Sequence, residues 1–275
     1  MRKKFFVALL PLAVLCIGWT SYDFYHAVEF ARPEYADIEA SIQKEVLSEA
    51  DYALILNQTG LGKRAVEELR QTERGKKSLL AFQRQKQEKF DYKQSFLFFP
   101  TTTAELLRDA EKRSASLLLP PLKAGDVLIT RSTKTLLYRH GHAGLVLDAN
   151  KTIESLMIGS RSAVLPVHNW LSYPTIMVLR PKAELAEAGE EAVRFAKEHL
   201  KDVPYSLFTG FLQKDKKEEA TIDRTQCAHL VWQAYSGAGV DIDSDGGFLV
   251  TPKDIANSDV FDVVFSYGFG EEGRW

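Results

Sequence analysis

Between residues 34 and 92 the apolar positions follow the period of an α-helix. In the first half they recur every four residues, and charged side chains fill the positions between them. The recurring positions are Ile38, Ile42, Val46, Ala50 and Leu54. Residues 58–62 (QTGLG) interrupt the pattern, and a second charged helix is predicted over residues 63–92. The segment therefore predicts a helical hairpin, which must bury its apolar stripe against another part of the molecule.

The hairpin is followed by a short connecting region. Residues 96–99 (FLFF) are predicted to dock the hairpin, and residues 103–117 predict one more short helix. Pro120 and Pro121 then mark a boundary. We expect a helical hairpin domain over residues 30–118 and a second domain over residues 120–275.

Short apolar runs bounded by turn residues dominate the second domain and predict strands. They cover residues 126–130, 142–147, 152–156, 175–179 and 260–266. Helical patterns cover residues 185–200 and 226–235. Because most of the strands precede the helices instead of alternating with them, the sequence predicts an α+β fold with an antiparallel sheet and packed helices.

The first 20 residues predict an export signal or an N-terminal anchor. Residues 1–4 (MRKK) are cationic, and the apolar run over residues 5–19 suits the core of a signal peptide but is short for a membrane span. An uncleaved anchor at the membrane face and a lipoprotein modified at Cys16 stay open as alternatives. We expect an exported protein, located in the periplasm, in the cell wall or outside the cell, with association at the membrane surface through the N-terminus left open.

Charge and cysteine content narrow the classes of partner and site. The 275 residues carry 35 Lys and Arg against 37 Asp and Glu, a net charge of −2, so a nucleic acid is not an expected partner. With Cys16 and Cys227 as its two cysteines, the chain is neither a disulfide scaffold nor a cysteine-rich zinc protein. If a signal is removed, Cys227 is the thiol that remains.

Cys227 lies in the first turn of a predicted helix whose apolar side is expected to face the core. With Thr225 as the N-cap, the thiol takes the second helical position, where the positive end of the helix dipole favours the thiolate. The helix alone fits two interpretations, a nucleophile and a buried core cysteine.

His142 and Glu154 are predicted to form a base with the group that orients it. Both positions are equidistant from Asp148, so an antiparallel hairpin centred there places them directly opposite, on one face of the sheet. An acid in an otherwise apolar strand needs a hydrogen-bond donor when it is buried, and an imidazole N–H opposite it provides one. A thiolate nucleophile requires such an oriented base.

Several short motifs together resemble a known superfamily. They are GDVL at 125–128, HAGLV at 142–146, TIES at 152–155, PY at 204–205 and QCAHLVWQAY at 226–235. In their order and spacing they are similar to the circularly permuted branch of the NlpC-like papain-fold superfamily, the YiiX/YaeF/YycO-like permuted amidases. The resemblance spans roughly residues 123–265.

The resemblance implies a permuted papain-like fold preceded by the helical hairpin, and a thiol hydrolase that cleaves an amide or peptide bond. Cys227 is then the nucleophile, His142 the base and Glu154 the third polar residue, while Tyr205 lines the substrate site. The implied substrate class is a peptide of peptidoglycan in the bacterial cell envelope. Hydrolysis or transfer of acyl lipids at the same site, and a non-catalytic cell-wall binding module, remain alternatives.

We expect no cofactor and no metal, with two alternatives noted. The loop at residues 241–246 (DIDSDG) matches the first half of an EF-hand, but Pro252 stands where the bidentate Glu is needed, so only a weak calcium site stays open. A zinc site built from His140, His142, Glu154 and Cys227 has poor ligand spacing.

Overall fold

The computed structural model describes residues 32–98, 102–135, 138–207, 209, 222–270 and 275. The predicted signal of residues 1–20, with Cys16, lies outside these residues, and so do the side chains of residues 96–99. Helices and antiparallel sheets make up the described part, which confirms the α+β class. Within it, no helix combines the length and the apolar character that crossing a bilayer requires.

In the part of the chain that the structure describes, ten strands form two antiparallel sheets. The larger sheet has the order β10-β9-β3-β6-β7-β8, and the smaller sheet has the order β1-β2-β4-β5. The strands are β1 (Asp91–Phe98), β2 (Thr102–Arg108), β3 (Val127–Thr130), β4 (Thr133–Thr135), β5 (Tyr138–Arg139), β6 (His142–Asp148), β7 (Lys151–Glu154), β8 (Ala163–Pro166), β9 (Ile176–Pro181) and β10 (Phe261–Tyr267).

Seven α-helices surround the sheets in the described residues. They are α1 (Glu39–Ile42), α2 (Glu49–Thr59), α3 (Lys63–Arg70), α4 (Glu73–Gln87), α5 (Ala186–His199), α6 (Cys227–Gly237) and α7 (Pro252–Ala256). Short 3₁₀ turns cover Val167–Ser172 and Ala183–Leu185. The predicted helices at 185–200 and 226–235 are confirmed to within two residues at each end.

The six-stranded sheet separates two hydrophobic cores because successive side chains of a strand point to opposite faces. On β6, Leu145 belongs to the core shared with α5, α6 and α7, whereas Val146 belongs to the core shared with the N-terminal helices. Phe82 of α4 and Phe265 of β10 meet in this second core, with ring centroids 5.5 Å apart. The N-terminal helices therefore bury their apolar side against the sheet.

The predicted helical hairpin is divided into four shorter helices. Ser48 and Asp51 form a capping box that starts α2, so the chain leaves the helix after Ile42 and begins a new one. As a result Val46, expected on the buried stripe, is exposed, and the neighbouring Leu47 is buried instead. The predicted break at residues 58–62 is confirmed, since Gly60 ends α2 with a positive φ of 77°.

Residues 103–117 were expected to be helical, and this prediction is wrong. Residues Thr102–Arg108 form β2, which pairs with β1 and, through Thr102 and Ala104, with β4. Pairing with β1 on one side and with β4 on the other overrides the weak local helical pattern, because strand formation depends on the neighbouring strands. The smaller sheet thus crosses the expected boundary, and the division into domains at 30–118 and 120–275 stays a prediction.

Candidate active site

Cys227 is the first residue of α6 and is buried, with 4% of its surface exposed. The expected cap was Thr225, which is wrong: the N-cap is Gln226, whose side-chain oxygen accepts a hydrogen bond from the N–H of Ala228 at 3.0 Å. Cys227 therefore takes the first helical position instead of the second. It still lies within the first turn, where the helix dipole favours an anion.

His142 and Glu154 are in contact, although their register differs from the expectation. In the β6–β7 hairpin, Leu145 pairs with Ile153 and Val146 with Thr152, and a bulge precedes Asp148. Continuing this pairing places Gly144 opposite Glu154, with His142 two residues further along β6. A shift of two residues keeps side chains on the same face, and the His142 Nε2 atom lies 2.7 Å from the Glu154 Oε2 atom.

Gly144 makes room for this diagonal contact. A Cβ atom at position 144 would lie 3.0 Å from Cγ of Glu154 and 2.8 Å from Cζ2 of Trp170. Any side chain at this position would therefore collide with the two residues beside the imidazole. Glycine allows the carboxylate and the indole to pack against the backbone of β6.

The second oxygen of Glu154 is held by two further donors. The Trp170 Nε1 atom donates a hydrogen bond to Oε1 at 2.8 Å, and the Thr152 hydroxyl donates to the same oxygen. The indole of Trp170 also stacks on the imidazole of His142, with centroids 5.2 Å apart and planes 15° from parallel. Trp170 and Thr152 thus fix the carboxylate, while Trp170 also covers the imidazole face.

The imidazole connects this carboxylate to the thiol. The His142 ring bonds to Glu154 through Nε2, and interaction with the Cys227 thiol is among the causes that raise the pKa of His142. Because Nε2 bonds to Glu154, Nδ1 is the nitrogen left for the sulfur. Burial alone lowers the pKa of His142, but the hydrogen bonds and charges of Cys227 and Glu154 outweigh it and raise the pKa to about 10. The arrangement therefore favours a protonated imidazole at His142, held against the Glu154 carboxylate.

Tyr205 lies beside the predicted site. Its backbone N–H bonds to the oxygen of Ser160 at 3.0 Å, and its segment forms a parallel bridge with Thr225, just before α6. Burial and the charge of Cys227 raise the pKa of the half-buried Tyr205 phenol. The structure therefore brings the fourth predicted site residue to the same region as the other three.

The zinc alternative loses one of its four residues. His140 turns its Nε2 atom to the Thr135 hydroxyl at 2.8 Å and its Nδ1 atom to the oxygen of Gly141. Burial lowers the pKa of His140 to about 4. With both nitrogens engaged elsewhere, His140 does not join His142, Glu154 and Cys227.

The acidic loop near residue 243 brings three carboxylates together. Oxygen atoms of Asp243, Asp245 and Asp254 lie within 4.8 Å of one another. Asp254 also accepts hydrogen bonds from the Thr251 backbone and hydroxyl in the capping box of α7, in which Pro252 is the first residue. The weak calcium site stays a prediction.

Three residues of the site were not singled out from the sequence as site residues: Thr152, Trp170 and Gln226. Thr152 was within reach, since it lies two residues before Glu154 and so shares its face of the strand. Trp170 comes from the 3₁₀ turn after β8, and no local pattern links that turn to β7. Gln226 is an unusual cap, because short polar side chains are preferred at this position.

Part of the chain is similar to YycO, an uncharacterised protein of Bacillus subtilis (strain 168). The two are 28% identical over 141 residues, which are 51% of this chain and 54% of YycO. The chain thus spans about half the length of this relative. No family model matches the sequence, and no solved structure matches it. The similarity indicates a YycO-like relationship for half of the chain, and it says nothing about activity.

Proposed function

We propose that the protein is a thiol hydrolase in which Cys227 is the nucleophile, His142 the acid and base, and Glu154 the group that orients the imidazole. One observation carries the proposal: the buried imidazole of His142 bonds to the Glu154 carboxylate at 2.7 Å, while interaction with the Cys227 thiol also raises the pKa of His142. A structural histidine needs neither a thiol on one nitrogen nor a carboxylate on the other. A nucleophile, a base and an orienting acid need this order.

The proposed reaction begins from the thiolate and imidazolium. The Cys227 sulfur attacks the carbonyl carbon of an amide, and an S–C bond forms while the oxygen takes the negative charge. When the oxyanion collapses, the C–N bond breaks and His142 gives its proton to the departing amine. A water molecule then loses a proton to His142 and attacks the thioester carbon. The C–S bond breaks, which releases the carboxylic acid and regenerates the thiolate of Cys227 and the imidazolium of His142.

Glu154 holds the imidazole of His142 in one orientation throughout this cycle. Its Oε2 atom holds the Nε2–H of His142, so the other nitrogen stays directed at the sulfur. Its Oε1 atom is held in turn by Trp170 and Thr152. The carboxylate therefore has little freedom to leave the imidazole during proton transfer.

We place the substrate in the bacterial cell envelope, as a peptide of peptidoglycan. Residues 1–20 have the pattern of an export signal, and the motifs around Cys227, His142 and Glu154 resemble NlpC-like amidases. A location in the periplasm, in the cell wall or outside the cell fits both observations. The relationship to YycO is consistent with a permuted member of that superfamily.

Covalent capture tests the proposal. The full chain is mixed with a peptidoglycan stem peptide, a short-chain acyl ester and a long-chain acyl ester, and acyl groups on the Cys227 peptide are measured by mass after an acid quench. We expect an adduct from the stem peptide, lost in Cys227→Ser and formed at least about a hundredfold more slowly in His142→Ala.

The pattern of acylation by the three donors distinguishes the proposed substrate class from its alternatives. An adduct from the long-chain ester alone would replace the peptide substrate with acyl-lipid chemistry on the same site. If no donor acylates Cys227, or if His142→Ala reacts at the wild-type rate, the hydrolase proposal is wrong.

A further inference from the structure

The cap of the Cys227 helix has an amide whose orientation is fixed at both ends. Oε1 of Gln226 accepts from the N–H of Ala228 at 3.0 Å, and Nε2 donates to the oxygen of Val250 at 2.9 Å. Turning the amide over would oppose two donors at Ala228 and two acceptors at Val250. The side chain is also buried, with 7% of its surface exposed. The carbonyl oxygen therefore points at the N-terminus of α6.

The same oxygen lies next to the sulfur. The Cys227 Sγ atom is 3.3 Å from Oε1 of Gln226 and donates a hydrogen bond to it when the thiol is protonated. The Gln226 oxygen is thus a carbonyl oxygen that touches both the nucleophile and an N–H group of the first helical turn.

A substrate carbonyl has to meet the same two conditions. When the Cys227 sulfur attacks, the substrate oxygen is attached to the carbon that binds Sγ, so it must lie close to the sulfur. It also needs N–H donors for its developing negative charge, and the N-terminus of α6 offers them. The Gln226 amide meets both conditions in the absence of substrate.

We propose that the Gln226 side chain occupies the oxyanion position of the site and that a reacting substrate displaces it. This inference rests on the proposed function. The substrate oxygen replaces the Gln226 oxygen as the acceptor of the N–H of Ala228. Gln226 loses this hydrogen bond, and none of its covalent bonds is broken. An oxyanion is a stronger acceptor than a neutral amide oxygen, so the exchange is favoured as the S–C bond forms.

Two reagents separate this role from the reactivity of the thiol. Acetylation by p-nitrophenyl acetate forms an S–C bond at a carbonyl carbon, releases p-nitrophenolate and passes through an oxyanion. Alkylation by iodoacetamide forms an S–C bond at a saturated carbon, releases iodide and creates no oxyanion. Both rates are followed on the Cys227 peptide by mass, each on its pH-independent plateau, so the fraction of thiolate does not enter the comparison.

The variant Gln226→Met keeps the length of the side chain and removes both polar atoms. We expect the ratio of acetylation to alkylation to rise about fivefold, which is what one net hydrogen bond is worth. The matched control is Thr72→Ala, which removes the cap of α4, where the Thr72 hydroxyl accepts from the N–H of Gly75 at 3.0 Å. Its ratio should equal that of the wild type.

An unchanged ratio in Gln226→Met overturns the inference, and a lower ratio overturns it by showing that the amide assists the oxyanion. The proposed function fails separately if wild-type Cys227 is alkylated no faster than the unfolded chain. Should Gln226→Met not fold, a crystal structure of the wild-type hemithioacetal with acetaldehyde decides. The adduct oxygen must replace Oε1 of Gln226 at Ala228, and an unmoved Gln226 overturns the inference.

Discussion

Glu154 is a buried carboxylate whose two oxygens have separate tasks. Oε2 faces His142, while Oε1 accepts from Trp170 and Thr152. A carboxylate that is only 3% exposed must replace its lost hydration by such donors. Removal of a single donor should therefore affect both the stability of the fold and the position of the imidazole.

Replacing Trp170 by Phe tests the donor and leaves the ring stacking largely intact. Because a hydrogen bond to a buried charged group is lost, we expect Trp170→Phe to lower the free energy of unfolding by about 1.5–3 kcal/mol. The control is Trp232→Phe, since the Trp232 Nε1 atom donates at 2.9 Å to Asp241, which is exposed. Urea unfolding should show a smaller loss in this control, and equal losses would contradict the role given to Trp170.

The residues of the site differ in how far the sequence defines them. The contact of His142 with Glu154 follows from alternation along two strands, which tolerates the shift of two positions. The expectation that the two residues are directly opposite fails, because a bulge between Val146 and Asp148 changes the pairing. The local sequence carries no signal for this bulge. Thr225 is the better cap by local preference, but the bond from Gln226 to Val250 is tertiary and outweighs that preference.

At the scale of elements, the β6–β7 hairpin positions the imidazole and the carboxylate, and α6 brings the thiol to them. Gly144 lets the hairpin pack closely on Trp170, because a Cβ atom at this position would lie 2.8 Å from the ring. The four short N-terminal helices and β2 lie away from these elements in sequence. Their local patterns of apolar and polar residues predicted their secondary structure least well. Strand β2 lies between β1 and β4, and a local window of sequence does not contain its pairing with β4.

Replacing Gly144 by Ala tests this close packing. The added Cβ would lie 2.8 Å from the indole and 3.0 Å from the carboxylate side chain, so one of them has to move. We expect a loss of about 1–3 kcal/mol in the free energy of unfolding, as overpacked cores show. In the control Gly247→Ala, the nearest atom is the flexible end of the Asp245 side chain, and the loss should be small. A wild-type stability for Gly144→Ala would contradict the packing described here.

At the scale of the whole molecule, the N-terminal helices share a core with one face of the six-stranded sheet, and Trp170 of the candidate site belongs to this core. Arg180 of β9 joins the two parts, since it binds Asp126 with two nitrogens at 2.8 Å each and Glu68 of α3 at 2.8 Å. Apolar side chains of the sheet share a core with these helices. The N-terminal segment therefore covers a face of the sheet that water would otherwise reach.

A fragment of residues 120–275 tests this dependence. It lacks the helices that cover the second face of the sheet, as well as the partner of β4, so we expect it to lose cooperative thermal unfolding. Circular dichroism melting of the fragment against the full chain measures the effect. A fragment that melts cooperatively at the temperature of the full chain would show that the N-terminal segment contributes nothing to the fold of the rest.

The proposed mechanism depends most on a protonated His142 beside the Cys227 thiol. Because the pKa of His142 is raised to about 10, the ring stays an imidazolium through neutral pH. It loses its proton only as the pH rises through that value. The proposed reaction requires this imidazolium to hold Cys227 as the thiolate nucleophile. The difference in ultraviolet thiolate absorbance between the wild type and Cys227→Ser, followed against pH, reports this thiolate without the contribution of Cys16.

If the proposed mechanism is right, Cys227 gives a thiolate signal already at neutral pH in the wild type, and this signal is lost at neutral pH in His142→Ala. The mechanism is contradicted if the wild-type signal rises only around pH 8.5, where an ordinary thiol ionises. It is also contradicted if His142→Ala gives the same curve as the wild type.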